Sequence, residues 1–384
     1  MTLKKTEISG EISNIMKYVL NKNLKDAFEG ISKKDFKDVN LTVGSIDVGY
    51  GNTKYVAGAD ENGELVYGSF PSITPLASNQ SISGNMFMAR DTKIVDVDGT
   101  HFEVGVETEA LISGSNTDAA KVLDESYIFS PQYKALFLGA LSYMGQEKYD
   151  ILVLGLPVNY IRNADKLAEL FTGEFELADN KKCTIKEVLV IPQPLGGFYQ
   201  VAIDNDLYED MLEEYNLIID PGYLTFDVLT TKGLSPIDQR SDAIPGGMSK
   251  ILNALAKSIS QQIDRTYDDL SAIDNAIRKP RKIKNPDGKI EMKRALKIGK
   301  EIIELDEHIK KTTPVIENSI TAMKNIVKTY DNIENIILVG GAENIFLRRI
   351  EKHLIDREIL KADNSLFSNA IGFFYVGVLQ ALRK

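Results

Sequence analysis

The sequence is poor in cysteine and histidine and lacks long apolar runs. Its 384 residues include one cysteine, Cys183, and three histidines. A single cysteine cannot form an internal disulfide, which fits a reducing cytoplasm, and so few nitrogen and sulfur ligands argue against a dedicated zinc site. No window reaches the roughly 18 unbroken apolar residues of a membrane span, and residues 1–7 lead into no secretory signal. We therefore expect a cytoplasmic protein without a membrane partner.

Acidic residues outnumber basic ones, 55 to 45, and the formal net charge is −10. Non-specific DNA binding depends on lysine and arginine side chains that neutralise phosphates. Direct nucleic-acid binding is therefore not expected, whereas a basic protein partner would be attracted on encounter. The chain is long enough for two domains with sizeable cores.

Residues 1–40 differ in pattern from the rest. Apolar residues recur at three- and four-residue spacing between Ile12 and Phe28, which predicts an amphipathic helix that ends near Gly30. Three roles are compatible with this N-terminal extension: a helix packed on the body, a subunit-contact or regulatory arm, and a membrane-surface helix. The last is the weakest because the polar face is not richly basic.

Strand and helix patterns alternate along the remaining chain, which indicates an α/β fold. Strands are predicted near 41–47, 54–57, 64–68, 101–105, 149–158, 187–192, 217–220, 225–230 and 335–339. Helices are predicted near 133–144, 163–171, 198–203, 248–263, 305–330 and 369–382, and a loop or a small, irregular excursion is predicted at 77–100.

An acidic turn follows the first strand. Gly49 and Gly51 would let the backbone approach an anion because no Cβ stands in the way. Lys54 could reach phosphate oxygens as a point charge, and Asp47 could hold a metal ion through water, as Mg²⁺ prefers. Taken alone, such a glycine-rich hairpin tip is usually just an ordinary turn.

The same pattern returns 173 residues later, in the run Asp-Pro-Gly-Tyr-Leu-Thr-Phe-Asp at 220–227. Asp220 is the candidate for a second carboxylate near the metal. Thr225 and Asp227 could instead bond locally and shape the hairpin. Two acid-tipped hairpins predict two related lobes that face each other across a nucleotide.

Two further segments follow buried strands. Gln193, between two prolines, could orient a water for attack on a terminal phosphate, since phosphoryl transfer depends mainly on positioning. Gly340, Gly341 and Ala342 would permit close approach to a flat ring or a ribose, although in isolation a simple strand-to-helix turn explains them better.

The segment 278–300 is strongly basic, and we interpret it as an exposed hairpin or insertion. Its charge is compatible with a solvated face or with contact to an acidic neighbour.

Five segments together resemble the nucleotide-binding motifs of the actin/sugar-kinase/heat-shock-chaperone ATPase superfamily, in the expected order. They are phosphate-1 at 47–54, connect-1 at 191–197, phosphate-2 at 220–227, the adenosine motif at 338–343 and connect-2 at 369–372. Within the superfamily the chain resembles the prokaryotic actin-like proteins of the ParM/StbA group, through Gly-Leu-Pro-Val at 155–158 and the form of phosphate-2.

This resemblance implies an actin-like fold: two ribonuclease-H-like α/β domains flank a nucleotide cleft, and each carries a subdomain insertion. Domain I would comprise residues 41–205 and 366–384, and domain II residues 206–365, after the extension at 1–40. ATP and Mg²⁺ are the implied cofactors. Gln193 and Asp220 would be the catalytic residues. Mg²⁺ would be held through water by Asp47 and Asp220. The implied nucleotide-binding residues are Asp47, Gly49, Tyr50, Gly51, Asn52, Lys54, Gly222, Tyr223, Thr225, Gly246, Gly247, Gly340, Gly341 and Ala342.

Two tyrosines depart from the family pattern. Many members carry a small hydroxyl residue at the position of Tyr50, and glycine is common at that of Tyr223. The resemblance implies an ATPase that polymerises into nucleotide-dependent filaments and segregates plasmid DNA through a basic DNA-binding adaptor. The alternatives are a non-polymerising switch or scaffold, as among cell-division actin relatives, and a small-molecule kinase of the same superfamily.

Overall fold

The computed structural model describes residues 41–60, 64–77, 90–111, 125–284 and 287–383. The N-terminal extension and its predicted amphipathic helix lie outside the described residues. Two sheets, of five and of six strands, organise the described residues.

The strands alternate with helices along the chain, as the sequence pattern predicts. The strands are β1 Val43–Val48, β2 Asn52–Ala59, β3 Leu65–Pro71, β4 Thr92–Val97, β5 Thr100–Gly105, β6 Lys148–Tyr149, β7 Ile151–Leu156, β8 Gly173–Glu176, β9 Lys182–Ile185, β10 Val188–Pro192, β11 Tyr215–Pro221, β12 Thr225–Lys232, β13 Ser235–Pro236, β14 Asp242–Pro245, β15 Arg281–Lys284, β16 Ile290–Lys293, β17 Ala295–Ile298, β18 Glu301–Glu304, β19 Asn335–Leu338 and β20 Leu360–Lys361. The α-helices are α1 Pro131–Met144, α2 Ala164–Leu170, α3 Gln193–Asp204, α4 Tyr208–Glu213, α5 Met248–Ile263, α6 Leu270–Arg278, α7 Asp306–Lys311, α8 Thr313–Val327, α9 Glu343–His353 and α10 Ser368–Arg383.

The five-stranded sheet has the order β10-β7-β1-β2-β3, and we call the body built on it lobe I. β1 pairs with β7 in parallel and with β2 in an antiparallel hairpin, whose register places Asp47 opposite Lys54. Every residue of β1 and β7 is buried, as expected for strands covered on both faces.

The six-stranded sheet repeats this arrangement and forms the basis of lobe II. Its strands follow the order β13-β12-β11-β19-β20, with β14 added on β12. β11 pairs with β19 in parallel and with β12 in an antiparallel hairpin, where Asp220 lies opposite Asp227. In each lobe, an acidic residue therefore stands at the carboxyl end of a central strand, the edge where open α/β sheets bind ligands.

Helices α3 and α10 cross where the lobes meet. A Cβ at Gly372 would overlap the carbonyl oxygen of Gly196, so only glycine allows this close crossing. The same apolar cluster includes Val153 of lobe I and Ile218 of lobe II, and both are fully buried. The two helices thus join the lobes through one core.

The predicted domain boundaries, after residues 205 and 365, fall between helices and strands of the fold. Helix α10 packs on α3, β1 and β7, which agrees with the placement of the C-terminal segment beside lobe I. The division into these domains stays a prediction.

Three expectations about local structure are wrong. Residues 92–97 form β4 rather than a loop, because Val95 and Val97 are buried and Asp98 and Gly99, both at positive φ, make a two-residue hairpin turn to β5. The helix expected from 198 begins at Gln193, since a proline is tolerated in its first turn.

The third concerns the helix expected across 305–330. It is divided into α7 and α8. Pro314 stands in the first turn of α8, where its missing N–H costs nothing.

The basic segment forms two antiparallel hairpins, β15–β16 and β17–β18, which confirms the predicted hairpin and extends it. Within the described part of the chain, no helix is long and apolar enough to cross a membrane.

Candidate functional site

A cleft of about 900 Å³, measured to include its open mouth, lies between the β1–β2 turn of lobe I and the β11–β12 turn of lobe II. It brings together segments that are far apart in the sequence. Of the residues predicted for the site, those that line it are Asp47, Gly49, Tyr50, Gly51, Asn52, Lys54, Gln193, Asp220, Gly222, Tyr223, Thr225, Gly340, Gly341 and Ala342.

Asp47 lies at the carboxyl end of β1 and is almost fully buried. Lys54 Nζ is 2.7 Å from its Oδ2, and Gln193 donates from Nε2 to its Oδ1 at 2.9 Å. Both carboxylate oxygens therefore have partners. The side chain is fixed in orientation by one residue of its own hairpin and one of the helix that joins the lobes.

The turn after Asp47 is held open by glycines and by one serine. Ser72 donates from Oγ to the carbonyl oxygen of Gly49 at 2.5 Å, and its own N–H donates to that of Gly51 at 3.0 Å. A Cβ at Gly51 would lie 2.9 Å from Cγ of Tyr223. The ring of Tyr223, in lobe II, therefore packs on the lobe I turn across the cleft.

Asp220 occupies the corresponding place in lobe II, at the end of β11, and is also buried. Asn369, in the first turn of α10, donates from Nδ2 to Asp220 Oδ2 at 2.7 Å. Gly340 has a φ of +89°, and a Cβ there would collide with Asp220 Oδ1. A glycine is therefore required beside this carboxylate, both for the backbone conformation and for space.

Burial raises the pKa of Asp220 to about 6, and the nearby charge of Asp47 adds to this shift. Burial raises the pKa of Asp227 to about 7, with the charge of Asp220 as the next cause. Three carboxylates thus share a poorly hydrated site, and their mutual repulsion favours a cation between the lobes.

Asp227 makes the local bond that the sequence allowed, because Thr225 donates from Oγ1 to its Oδ2. It also lines the cleft. The backbone N–H of Val158, from lobe I, donates to its Oδ1 at 3.4 Å. Asp227 therefore shapes its hairpin and links the lobes at the same time.

Gly246 and Gly247 do not line the cleft, contrary to expectation. They lie behind the β11–β12 turn, where the N–H of Gly247 donates to the carbonyl oxygen of Leu224 at 3.1 Å. A Cβ at Gly247 would lie 2.6–2.7 Å from the carbonyl oxygens of Gly222, Tyr223 and Thr225. These glycines support the turn by close packing against its carbonyl oxygens.

Sequence reasoning missed Arg278, the last residue of α6. Its Nη1 donates to the carbonyl oxygen of Gly341 at 3.0 Å, and its Nε donates to Asp274 at 2.8 Å. Arg278 lines the cleft beside the glycine pair. Its place at the end of a helix in the basic segment gave no signal of this position.

An aromatic group beside the β1–β2 turn was also missed. Tyr50 stacks on Tyr127 with ring centroids 5.0 Å apart, and Tyr127 meets Tyr133 edge to face at 5.8 Å. All three residues line the cleft. Tyr50 therefore belongs to a packed aromatic wall.

A magnesium ion fits the donor set as a hydrated ion. Asp47 and Asp220 are hard oxygen ligands of the type that Mg²⁺ prefers, and they are close enough for one to raise the pKa of the other. The buried Oδ1 of Asn369 has no hydrogen-bond partner among the described residues. No group of three or more His, Cys, Asp or Glu residues in the described ranges is arranged to hold a metal directly.

Comparisons with solved structures agree with the fold of the two lobes. The archaeal actin homologue Ta0583 is 18% identical with a TM-score of 0.65, and the match covers 88% of this chain and 100% of that one. ParM of a 15-stranded filament from Clostridium botulinum is 21% identical with a TM-score of 0.62, over 88% of this chain and 99% of that one. The actin-like protein Alp7A is 14% identical with a TM-score of 0.65, over 89% and 97%. Among curated protein sequences, none matches.

Two family models match consecutive parts of the sequence. The N-terminal domain of actin-like proteins matches residues 45–196, and the C-terminal domain of the archaeal MreB-like actin homologues matches residues 218–352. The predicted actin-like fold is thereby confirmed, and the chain belongs to the prokaryotic actin-like proteins, the group in which its motifs place it.

Proposed function

We propose that this protein is an actin-like ATPase that binds Mg-ATP between its lobes. One observation carries the proposal: two acid-tipped hairpins, on different sheets, face each other with Asp47 and Asp220 near enough to interact. Glycines at the turns leave room for phosphate oxygens. A solved structure of the relative Ta0583 is described as a complex with ADP, which supports a nucleotide ligand.

In this proposal the β1–β2 turn and the β11–β12 turn bind the phosphates from opposite sides of the cleft. Lys54 and the backbone of Gly49 and Gly51 would bind phosphates from lobe I, and Gly222 and Thr225 would bind them from lobe II. Asp47 and Asp220 would hold Mg²⁺ through water. The ion would neutralise phosphate charge and that of the flanking carboxylates.

Gln193 is the proposed water-positioning residue. Its Nε2 is committed to Asp47, which leaves the amide oxygen to accept a hydrogen from an attacking water. Asp220 would help to orient the attacking water from the opposite lobe. Positioning of this kind supplies most of the catalysis in phosphoryl transfer.

Gly340, Gly341 and Ala342 would border the adenosine, and Arg278 would flank them. Gly341 already accepts a hydrogen bond from Arg278. This contact connects the adenosine side of the cleft to α6 and to the hairpins that follow.

We further propose that the protein polymerises into nucleotide-dependent filaments. Two relatives have been solved as filaments, ParM from Clostridium botulinum and AlfA from the B. subtilis plasmid pLS32. Mg-ATP that bridges the lobes would bias rotation about the α3–α10 crossing, and the two states would then differ in subunit contacts. The net charge of −10 supports a basic DNA-binding adaptor as partner, in cytoplasmic plasmid segregation.

Light scattering on addition of Mg-ATP tests the proposal, combined with sedimentation, negative-stain microscopy and phosphate release from the same sample. We expect scattering to rise, filaments to appear in the pellet, and both to be absent with EDTA. ATP binding and turnover without any pellet, across protein and salt concentrations, would favour a monomeric switch or a kinase. Failure to bind ATP would refute the site itself.

A further inference from the structure

The β15–β16 hairpin has one outward face that is both basic and apolar. Directly paired residues of an antiparallel ribbon point to the same side. The register pairs Lys282 with Met292 and Lys284 with Ile290, so these four side chains share a face, which we call the hairpin face. Ile290 is 67% exposed and Met292 is 61% exposed.

The opposite side of the hairpin is turned towards the body. It carries Ile283 and Lys293, which are half-buried. Lys293 Nζ is 2.9 Å from Glu304 of the neighbouring hairpin. One face is therefore occupied by the protein's own residues, while the hairpin face presents two large apolar side chains to solvent.

The segment that contains this hairpin is basic, whereas the rest of the chain is acidic. Between residues 278 and 300, ten lysine and arginine residues accompany two acidic residues, giving +8. Because the whole chain carries −10, the remainder carries −18. A second copy of the chain is therefore a complementary partner for the hairpin face.

The hairpin leaves lobe II at its cleft end. Arg278 closes α6, lines the cleft and bonds to Gly341, and β15 begins at Arg281. The opposite end of lobe II is reached by α9, which starts at the cleft after Ala342. Strand β20, which follows α9, runs parallel to β19, so α9 must run away from the cleft.

An acidic and apolar patch lies at that far end. Ile355 follows α9 and is 70% exposed. Arg357 bonds to the carbonyl oxygens of Tyr330 and Ile333, which places this turn beside the segment that precedes β19. The exposed acidic residues of this end, with Ile355, form what we call the basal patch: Asp331, Glu334, Asp356 and Glu358. Lys328 and Lys352 are exposed basic residues nearby, and Arg357 is half-buried between Asp356 and Glu358, so four acidic residues face three basic ones.

We propose that the hairpin face of one subunit docks on the basal patch of the next. Each surface carries an exposed isoleucine, their charges are opposite, and they stand at opposite ends of the same lobe. A contact between two different surfaces of identical subunits is head-to-tail and generates an open filament unless it closes into a ring. This inference rests on the proposed polymerisation and names its longitudinal interface.

Charge exchange tests the pairing. The hairpin variant is Lys282→Glu with Lys284→Glu, and the basal variant is Asp356→Lys with Glu358→Lys. Each alone places like charges across the contact and should raise the critical concentration about tenfold or more. The combined variant restores opposite charges and should return to within about threefold of wild type. The matched control is Lys181→Glu with Lys257→Glu, at two exposed lysines outside both surfaces, and should polymerise like wild type.

Nucleotide binding distinguishes this inference from the proposed function. None of the substituted residues lines the cleft, so affinity for a fluorescent ATP analogue should be unchanged in every variant. Wild type that binds ATP but forms no filament would overturn polymerisation together with this contact. A hairpin variant that polymerises like the control would overturn the contact alone. The contact would also be overturned if charge reversal left polymerisation unchanged and abolished only co-flotation with anionic vesicles. The hairpin face would then bind a membrane surface.

A cysteine pair provides an independent measurement in the polymer. Cys183 is buried, so thiols introduced at Ile290 and Ile355 would react with little background. A short bismaleimide should convert filaments of the double variant into a ladder of covalent oligomers. Each single variant alone should give none, and an equal mixture of the two should give dimers. Filaments of the double variant that give no ladder would contradict the proposed contact.

Discussion

Gln193 donates a hydrogen bond to Asp47 across 2.9 Å, from the first residue of α3 to the one carboxylate of β1, which is buried. Lys54 binds the other oxygen of the same carboxylate. The proposed water-positioning amide and the proposed magnesium ligand therefore fix one another in orientation. Such preorganisation is what a positioned amide needs in order to act in phosphoryl transfer.

Gln193→Ala should lower kcat for ATP hydrolysis about 100-fold while it changes ATP affinity little, because the amide would act on the attacking water. Phosphate release and equilibrium binding on the same preparation measure the two quantities. Gln261→Ala is the control, since Gln261 is exposed on α5. Turnover equal to wild type would exclude Gln193 from the reaction.

Gly340→Ala should destabilise the fold by about 2 kcal/mol or more, because it combines a left-handed backbone with a collision against Asp220. Gly299→Ala separates the two causes. Gly299 also has a positive φ, +61°, but no atom lies within 4 Å of a Cβ built there, so its variant should lose only about 1–2 kcal/mol. Urea unfolding measures both. Equal losses would show that the contact with Asp220 adds nothing.

Asp227→Asn should stabilise the nucleotide-free protein at pH 8. Burial raises the pKa of Asp227 from its ordinary value near 4 to about 7, so the folded state binds more protons than the unfolded state between these values. Wild-type stability therefore falls as pH rises through this range, and the variant lacks that loss. We expect a gain on the order of 2 kcal/mol at pH 8 that shrinks towards pH 4.

Unfolding with EDTA present, at several pH values, measures this difference. The same variant should hydrolyse ATP more slowly, since a charge that faces the cleft has been removed. A stability difference that does not depend on pH would contradict the buried titration of Asp227.

The two acidic turns that line the cleft could be predicted from the sequence because each is a local pattern. Asp47 and Asp220 each follow an apolar strand and precede a glycine turn, so a short segment contains both the carboxylate and the geometry that presents it. The pairing of these segments could be inferred because the pattern occurs twice. That Gln193 belongs to the same site as these two carboxylates could be inferred only from the order of the motifs along the chain.

The remaining site residues could not be found in this way. Arg278 reaches Gly341 across 63 positions of sequence, and no local pattern distinguishes it from the other basic residues of its segment. Tyr127 meets Tyr50 only through the packing of lobe I. Gly246 and Gly247, which do not line the cleft, show the converse case. A glycine pair predicts close approach, but here the approaching atoms are the protein's own carbonyl oxygens.

His308 provides a pH prediction outside the cleft. It is buried in α7; its Nδ1 lies 2.7 Å from Ser258 Oγ, and its Nε2 lies 2.7 Å from Gln262 Oε1. Because a glutamine oxygen can only accept, Nε2 carries the hydrogen and Nδ1 accepts from the serine hydroxyl. A neutral ring satisfies this arrangement, and burial, followed by the charge of Lys311, lowers the pKa of His308.

The unfolded state, with a histidine pKa near 6.5, therefore binds more protons than the folded state just below that value. Stability from His308 is present above pH 6.5 and is lost as the pH falls towards the lower folded pKa. Wild type should lose more stability than His308→Gln between pH 7.5 and 5.5. Asp220 and Asp227 titrate equally in both proteins and cancel in the difference. Parallel stability curves for wild type and His308→Gln would show that His308 charges freely in the folded protein.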